Sequence, residues 1–333
     1  MNIIGIESSC DETAVSIIND EQVLVSLISS QELHKEYGGV VPEFASREHM
    51  KNIDSLVAKA FDESGLTIND INGIAVTRGP GLMGALLVGL SYAKGLSFAT
   101  QIPLIGVNHI EGHIIANFLN HPNLEYPFLC CLVSGGHTQI VHVKDFQNYE
   151  IMGKSIDDAA GEAFDKAARI LGLGYPGGPI IDALAKSGNP KFFRFPRAQI
   201  KNRPNDFSFS GLKTSVLYLT KQEKPEWIKN NIHHICASYQ EAIIDSLQKK
   251  TFKIQEEIQA RRIVLAGGVA ANSRLREIFQ KKAAGRKVEI YFPSLAYCTD
   301  NAAMIAKTGM EMLKRNRTSS LDIKAIPNLR LID

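Results

Sequence analysis

Residues 109–113 read HIEGH, two histidines flanking a glutamate. A helix turns about 100° per residue, so His109 and His113 fall about 40° apart on one face. That spacing suits two imidazoles on one metal ion. Glu111 falls nearly opposite. In the zinc-peptidase motifs H-E-x-x-H and H-x-x-E-H, the glutamate adjoins a histidine and acts as base on metal-bound water. The order H-x-E-x-H matches neither. Asn108 ends an apolar run and suits a helix N-cap. Glu111 then occupies the position from which a side chain reaches back to the cap N–H. The two histidines are either metal ligands or neighbours on a polar face.

Other stretches carry similar pairs of readings. CTDNAAMIA puts Asp300 at a helix start, as an N-cap or as a third, oxygen ligand that leaves positions open for substrate. LVSGGHT ends a strand in Gly135-Gly136, where backbone N–H groups can approach an anion or where glycine merely serves a turn with positive φ. In SIDDAAGEAFDKAARILG, Ser155 and Asp158 have capping-box spacing, and Asp165 either pairs with Arg169 or bonds a ligand hydroxyl. YPGGPIID exposes the Gly178 backbone beside Asp182. RIVLAGGVAANSRLRE reads as strand, Gly267-Gly268, then helix, with Asn272 as cap or as ligand contact. Two glycine patterns fail. GLGYPG has GxGxxG spacing but follows a helix and holds Pro176, and GKS at 153–155 has Asn148 where a P-loop needs glycine.

The elements that must position these groups alternate. Apolar β-type runs lie at 2–6, 14–18, 23–28, 73–77, 103–107, 128–133, 139–143 and 262–266. Amphipathic stretches lie near 45–64, 83–100, 109–119, 157–172, 230–258, 272–283 and 300–314. Alternation of this kind predicts an α/β fold. IIGIESSCDETAVSII and FLCCLVSGGHTQIVHV both read strand, polar turn, strand. They are two unrelated hairpins or the openings of two related halves whose turns face a shared cleft.

The chain has 333 residues, 44% of them hydrophobic, and a net charge of only +2 from 37 basic and 35 acidic residues. Bulk charge therefore does not point to nucleic acid. Five cysteines without a CxxC pair argue against a disulfide framework. The acidic start MNIIGIESSCDET is unlike a signal peptide, and no apolar run approaches the roughly 20 residues of a membrane helix. The expectation is a soluble, cytoplasmic protein with no membrane association. Within KFFRFPRAQIKNRPNDFSFSGLK, 191–213, six basic residues and five phenylalanines meet one acid, Asp206. That segment is an RNA-facing surface or a solvated insertion pinned by its aromatic rings.

Together GIESSCDET, YGGVVPEFASREH, GPGLMGALLVG, NHIEGH, LVSGGHTQ, SIDDAAGEAFDKAARILGLGYPGGP, DFSFSGLK, AGGVAANSRLR and CTDNAAMIA resemble one family in order along nearly the whole chain. It is that of the tRNA N6-adenosine threonylcarbamoyltransferases (TsaD, formerly O-sialoglycoprotein endopeptidases), in its bacterial form. Ser8 stands where threonine is common, and Arg78 where a small residue is frequent.

The resemblance implies an actin-like/Hsp70-like ATPase (ASKHA) fold, two duplicated α/β lobes around a nucleotide cleft. Their expected extents are 1–126, carrying the metal helix, and 127–333, carrying the basic insertion 191–213 and a C-terminal helix able to pack back on the first lobe. It implies transfer of threonylcarbamoyl from threonylcarbamoyl-AMP to N6 of adenosine 37 in tRNAs reading ANN codons, releasing AMP. It implies one iron or zinc ion at His109, His113 and Asp300. Substrate contacts are implied at Leu132, Val133, Ser134, Gly135, Gly136, Asp165, Gly178, Asp182 and Asn272. Implied partners are tRNA, a TsaB-type paralogue lacking the metal site, and a TsaE-type P-loop ATPase. Asp11 and Glu12, on the first hairpin turn, are candidates for phosphate-side contacts or proton transfer, against a plain turn-forming role. The competing functions are a metallo-endopeptidase and a nucleotide-switched binding protein of the same fold.

Overall fold

In the computed structural model, which describes residues 1–30 and 40–332, the run IIGIE forms strand β1 (Ile3–Glu7), every residue of it buried. Side chains alternate across a strand. Ile4 and Ile6 enter one apolar cluster with Ile53, Val57 and Leu90, while Ile3 enters another with Ala303, Met304 and Met310. Glu7 shares the parity of Ile3 and Gly5, so the strand delivers one carboxylate to the second face.

β1 pairs antiparallel with β2 (Glu12–Ile18), which pairs antiparallel with β3 (Val23–Ser30). On its other side β1 runs parallel to β4 (Gly73–Gly79), and β4 parallel to β5 (Leu104–Asn108). The order is β3-β2-β1-β4-β5. Helices α1 (Pro42–Ser64) and α2 (Met83–Thr100) supply the cluster on the Ile4 face. The short α3 (His109–Ile115) follows β5 and continues as a 3-10 turn to Leu119.

The second sheet repeats this plan. β6 (Phe128–Val133) pairs antiparallel with β7 (Thr138–Asp145), and β7 with β8 (Asn148–Lys154). β6 runs parallel to β9 (Arg262–Ala266), and β9 to β10 (Glu289–Tyr291). The order is β8-β7-β6-β9-β10, the same as the first. Five helices lie in the crossover that corresponds to the one carrying α1 in the first sheet: α4 (Ala160–Ile170), α5 (Gly177–Ala185), α6 (Ser210–Gln222), α7 (Pro225–Asn230) and α8 (Ile232–Ile258). Helix α9 (Ser273–Ala284) joins β9 to β10.

After β10 the chain returns to the first sheet as α10 (Ala302–Lys314). Two glycines permit the approach. A Cβ on Gly5 would lie 2.3 Å from the Ala302 carbonyl oxygen, and one on Gly309 2.4 Å from Ala75 Cβ. The compact units are therefore Met1–Leu124 with Pro293–Asp333, and Glu125–Phe292. The lobes drawn from sequence, 1–126 and 127–333, assign 293–333 to the second half; packing of α10 on β1 and β4 assigns it to the first. None of the described helices is long and apolar enough to cross a membrane.

Candidate metal centre and glycine turns

The helix that carries HIEGH is capped as its sequence predicts. Asn108 Oδ1 accepts from Ile110 N (2.9 Å) and Glu111 N (3.4 Å), and Asn108 Nδ2 donates to the Arg330 carbonyl (2.7 Å). At the start of α10 the cap is Asn301, whose side chain accepts from Met304 N (2.9 Å). Asp300 is thereby free of the capping role and turns to the histidines. Its Oδ1 lies 3.1 Å from His113 Nε2 and 3.4 Å from His109 Nε2. The three ligand atoms lie within 4.8 Å of one another, and the imidazoles meet edge to face. Glu111 is buried in the first turn and is not in the trio.

Behind His109 stands Glu7, which sequence reasoning missed. Its Oε2 lies 2.9 Å from His109 Nδ1 and accepts from Thr77 Oγ1 (2.6 Å), and its Oε1 accepts from Ser9 N (2.5 Å). A carboxylate only accepts, so His109 Nδ1 carries the proton. In a neutral imidazole, Nε2 then directs a lone pair at the Asp300 oxygen. A cation reconciles these two electron-rich atoms, and carboxylate–histidine backing is the usual support for a metal ligand. The residues therefore fit a divalent metal ion. His113 lacks such backing: its Nδ1 is buried without a partner among the described residues.

A proton on His109 answers the same two carboxylates. Burial opposes a charged His109, but Asp300 and Glu7 outweigh it and hold the imidazole well above its ordinary pKa. Burial likewise pushes Glu7 and Asp300 up, and His109 more than reverses this, so both carboxyls lie below their usual range. Metal uptake must displace that proton.

The β1–β2 turn lies beside this centre. Ser9 Oγ is 3.2 Å from His109 Nδ1. Fully buried His49, on α1, braces the turn: its Nε2 is 3.0 Å from the Cys10 carbonyl and its Nδ1 2.7 Å from Thr13 Oγ1. Asp11 and Glu12 are both half-buried. Burial first, then Asp300 and Asp11, push the Glu12 carboxyl up to about 10. Positive charge nearby would draw it back down.

The second unit holds the glycine turns. Between β6 and β7, Ser134 N donates to the His137 carbonyl (2.8 Å), and Ser134 Oγ accepts from His137 N (3.1 Å). Gly135 and Gly136 are exposed, do not have positive φ, and a Cβ on either would meet nothing within 4 Å. The turn itself therefore does not require glycine there, contrary to the positive-φ reading. Gly267 differs: its φ is 86°, and a Cβ would lie 2.5 Å from the Val133 carbonyl oxygen. Leu132 and Val133 are wholly buried in β6, so only their backbone can face a ligand.

Three further predicted residues hold local structure. Asp165 Oδ1 accepts from Gly177 N (2.7 Å), and the Gly178 N–H also bonds this carboxyl, so it anchors the start of α5. Burial still leaves the Asp165 pKa raised. Asp182 accepts from Ser273 N (3.1 Å) and Ser273 Oγ (2.8 Å) at the start of α9. Asn272 caps α9 through Leu275 N (2.9 Å) and donates to Gln240 Oε1 (2.7 Å).

The basic segment 191–213 is pinned by its rings. Phe195, Phe207 and Phe209 are buried, which removes them as stacking platforms. Asp157 fastens the far end, accepting from Ser208 Oγ (2.5 Å), Phe209 N (2.8 Å) and Ser210 Oγ (2.8 Å).

The sequence model described as "TsaD: tRNA N6-adenosine threonylcarbamoyltransferase" matches residues 22–307. A Kosmotoga olearia protein of that name is 54% identical over 333 residues, covering 100% of this chain and 99% of the relative. One from Thermosipho africanus is 50% identical over 334 residues, covering 99% and 100%. The chain belongs to the tRNA N6-adenosine threonylcarbamoyltransferase family. As in other folds of the actin-like/Hsp70-like type, its two sheets share one strand order. HypF from T. kodakarensis superposes with a TM-score of 0.64 at 13% identity, over 95% of this chain and 48% of that one. Component A of the Acidaminococcus fermentans (R)-2-hydroxyglutaryl-CoA dehydratase does so with 0.55 at 15%, over 94% and 99%. For this threonylcarbamoyltransferase-family chain, the signal that could have found Glu7 was local: an acid closing the apolar strand IIGIE.

Proposed function

We propose that this chain is an acyltransferase that moves threonylcarbamoyl from threonylcarbamoyl-AMP to N6 of adenosine 37 in tRNAs reading ANN codons, releasing AMP. The observation that carries the reading is the His109–His113–Asp300 trio with Glu7 behind it, in a chain 54% identical to a relative named for this activity. His109, His113 and Asp300 would hold one iron or zinc ion. Bound there, such an ion supplies a Lewis acid and template for the carbamoyl oxygens.

The chain's own residues do the rest. The N6 amine is a weak nucleophile because its lone pair is delocalised, so the donor must be an activated mixed anhydride. The Gly135 and Gly136 N–H groups form no internal hydrogen bond among the described residues. They are the donors for the leaving phosphate. Ser134 N is already used in closing the turn and acts by shape. Asp165 and Asp182 hold the Gly178 backbone and the Asn272 turn in place for the adenylate. Glu12, with Asp11 beside it, is the candidate to take up the proton that leaves the N6 amine.

The peptidase alternative fits less well, because Glu111 lies outside the trio and the named relatives are transferases. In the expected setting, the enzyme works in the cytoplasm with a TsaB-type paralogue and a TsaE-type P-loop ATPase. The test incubates the purified, metal-loaded chain and those partners with threonine, bicarbonate, ATP and unmodified tRNA. Threonylcarbamoyladenosine in the digested tRNA is the expected result. Its absence with folded, metal-loaded protein overturns the reading.

A further inference from the structure

From Lys186 to Arg203 the sequence holds six basic residues and no acid. The structure sorts them. Arg197 bonds Asp245 (3.2 Å) and the Phe195 carbonyl (2.7 Å), so it serves the fold. Arg203 lies 3.9 Å from Asp206. Lys186, Lys191, Arg194 and Lys201 are exposed and form no ion pair among the described residues, and of these Lys191 and Arg194 line one groove.

The backbone beneath them is fixed to α8. Asn189 N donates to His234 Nδ1 (2.9 Å), Phe193 N to Ser238 Oγ (3.0 Å), and Phe195 packs edge-on against Tyr239. Phe192, still 41% exposed, stacks on His234 and Trp227. Two uncompensated cations on a clamped backbone rim an open groove of about 1030 Å³ between this segment and α8. Five cations and two carboxylates line it. Those two, Asp245 and Glu241, already bond Arg197 and Arg274.

We infer that this groove, and not the whole of 191–213, docks the RNA backbone of the substrate. The inference rests on the proposed function for the identity of the partner. Fixed cations without partners suit phosphates, which carry regular charge and ask for no matching side chain. The stretch 204–210 is excluded, since Phe207, Phe209 and the Asp157 bonds commit it to the core.

The test compares the full-length chain with its K191E/R194E variant. Both residues are exposed, so thermal melting should not change; K191Q/R194Q serves if the reversal unfolds the segment. Affinity for unmodified tRNA is measured from 50 to 200 mM salt. The expected result is binding weaker on the order of 10-fold and a salt slope smaller by about 2, one unit per lost phosphate contact. Wild-type protein making the modified nucleoside, with variant affinity and slope unchanged, overturns the groove alone. The same holds if tRNA binding is intact but assembly with partner proteins is lost, which makes the groove a protein-docking surface. Wild-type protein that neither binds tRNA nor makes the nucleoside sinks the proposed function as well.

Discussion

The β1–β2 and β6–β7 turns occupy the same place in two sheets of identical strand order, yet their chemistry is opposite. The first turn is Ser8-Ser9-Cys10-Asp11, next to Glu12 and held against His109. The second is Ser134-Gly135-Gly136-His137, with open space over both glycines and no carboxylate. Duplication supplied one scaffold. The turn residues then differ: carboxylates beside the candidate metal trio in one unit, and, among the described residues, backbone N–H groups without an internal hydrogen bond in the other. The candidate ligands repeat the pattern, for His109 follows the last strand of one sheet and Asp300 the last strand of the other.

The largest effect that can break this comparison is loss of a ligand. His109→Ala or Asp300→Ala should abolish bound metal and lower turnover by more than about 100-fold, beyond the range for outer-shell changes. Metal analysis, with circular dichroism for the fold, checks it; activity without metal ends the division of labour. Glu7→Gln comes next. It keeps the shape but not the charge behind His109, so metal affinity should fall about 10–100-fold. Equal affinity in a metal titration removes Glu7 from the site.

The second unit offers a matched pair. Gly267→Ala forces a side chain into φ 86° and onto the Val133 carbonyl. It should cost about 1–3 kcal/mol in denaturant unfolding. Gly135→Ala has neither problem and should change stability by less than about 0.5 kcal/mol. If the turn receives phosphate, KM for the adenylate donor should nonetheless rise several-fold. A stability loss at Gly135, or an unchanged KM, reverses the assignment.

The smallest effect concerns how the first unit is closed. Hydrogen bonds from the N-terminal ammonium and then Lys314 hold Asp20 at about 2, below its ordinary 3.8. A depressed carboxyl stabilises above its unfolded pKa, and the gain is lost as pH falls through the folded value. Asp20 is 44% exposed, so screening limits the gain to about 0.5 kcal/mol. Asp20→Asn should lower stability by that much above pH 4, and the gap should close toward pH 2. A pH-independent gap would mean the ion pair contributes nothing.

The sequence revealed the elements whose pattern is strong. Eight apolar runs became β1–β7 and β9, and α3 and α9 began at the predicted Asn caps. The missed strands, β8 and β10, lie at an edge, where half the side chains meet water and no apolar run develops. Helix α5 opens with Gly-Gly-Pro, which reads as a turn until Asp165 is seen supplying the missing cap. The capping box at Ser155–Asp158 did not form. Ser155 Oγ bonds the Asp158 carbonyl, and α4 starts at Ala160. Asp300 and the histidines were legible as residue types. Glu7 was not, because its role depends on a contact 102 residues away.

The return of the chain after Phe292 also sets an order of events on the ribosome. The second unit is contiguous and has its whole sequence available as soon as residue 292 emerges. The first must wait, with β1–β5 made early and the helix that covers their Glu7 face made last. Asp300 arrives among those final residues, and the Arg330 carbonyl that orients the Asn108 cap arrives later still. A nascent chain stalled before Pro293 thus carries both histidines of the candidate trio and lacks its carboxylate. The trio proposed to hold an ion is therefore complete only once Asp300 has been made.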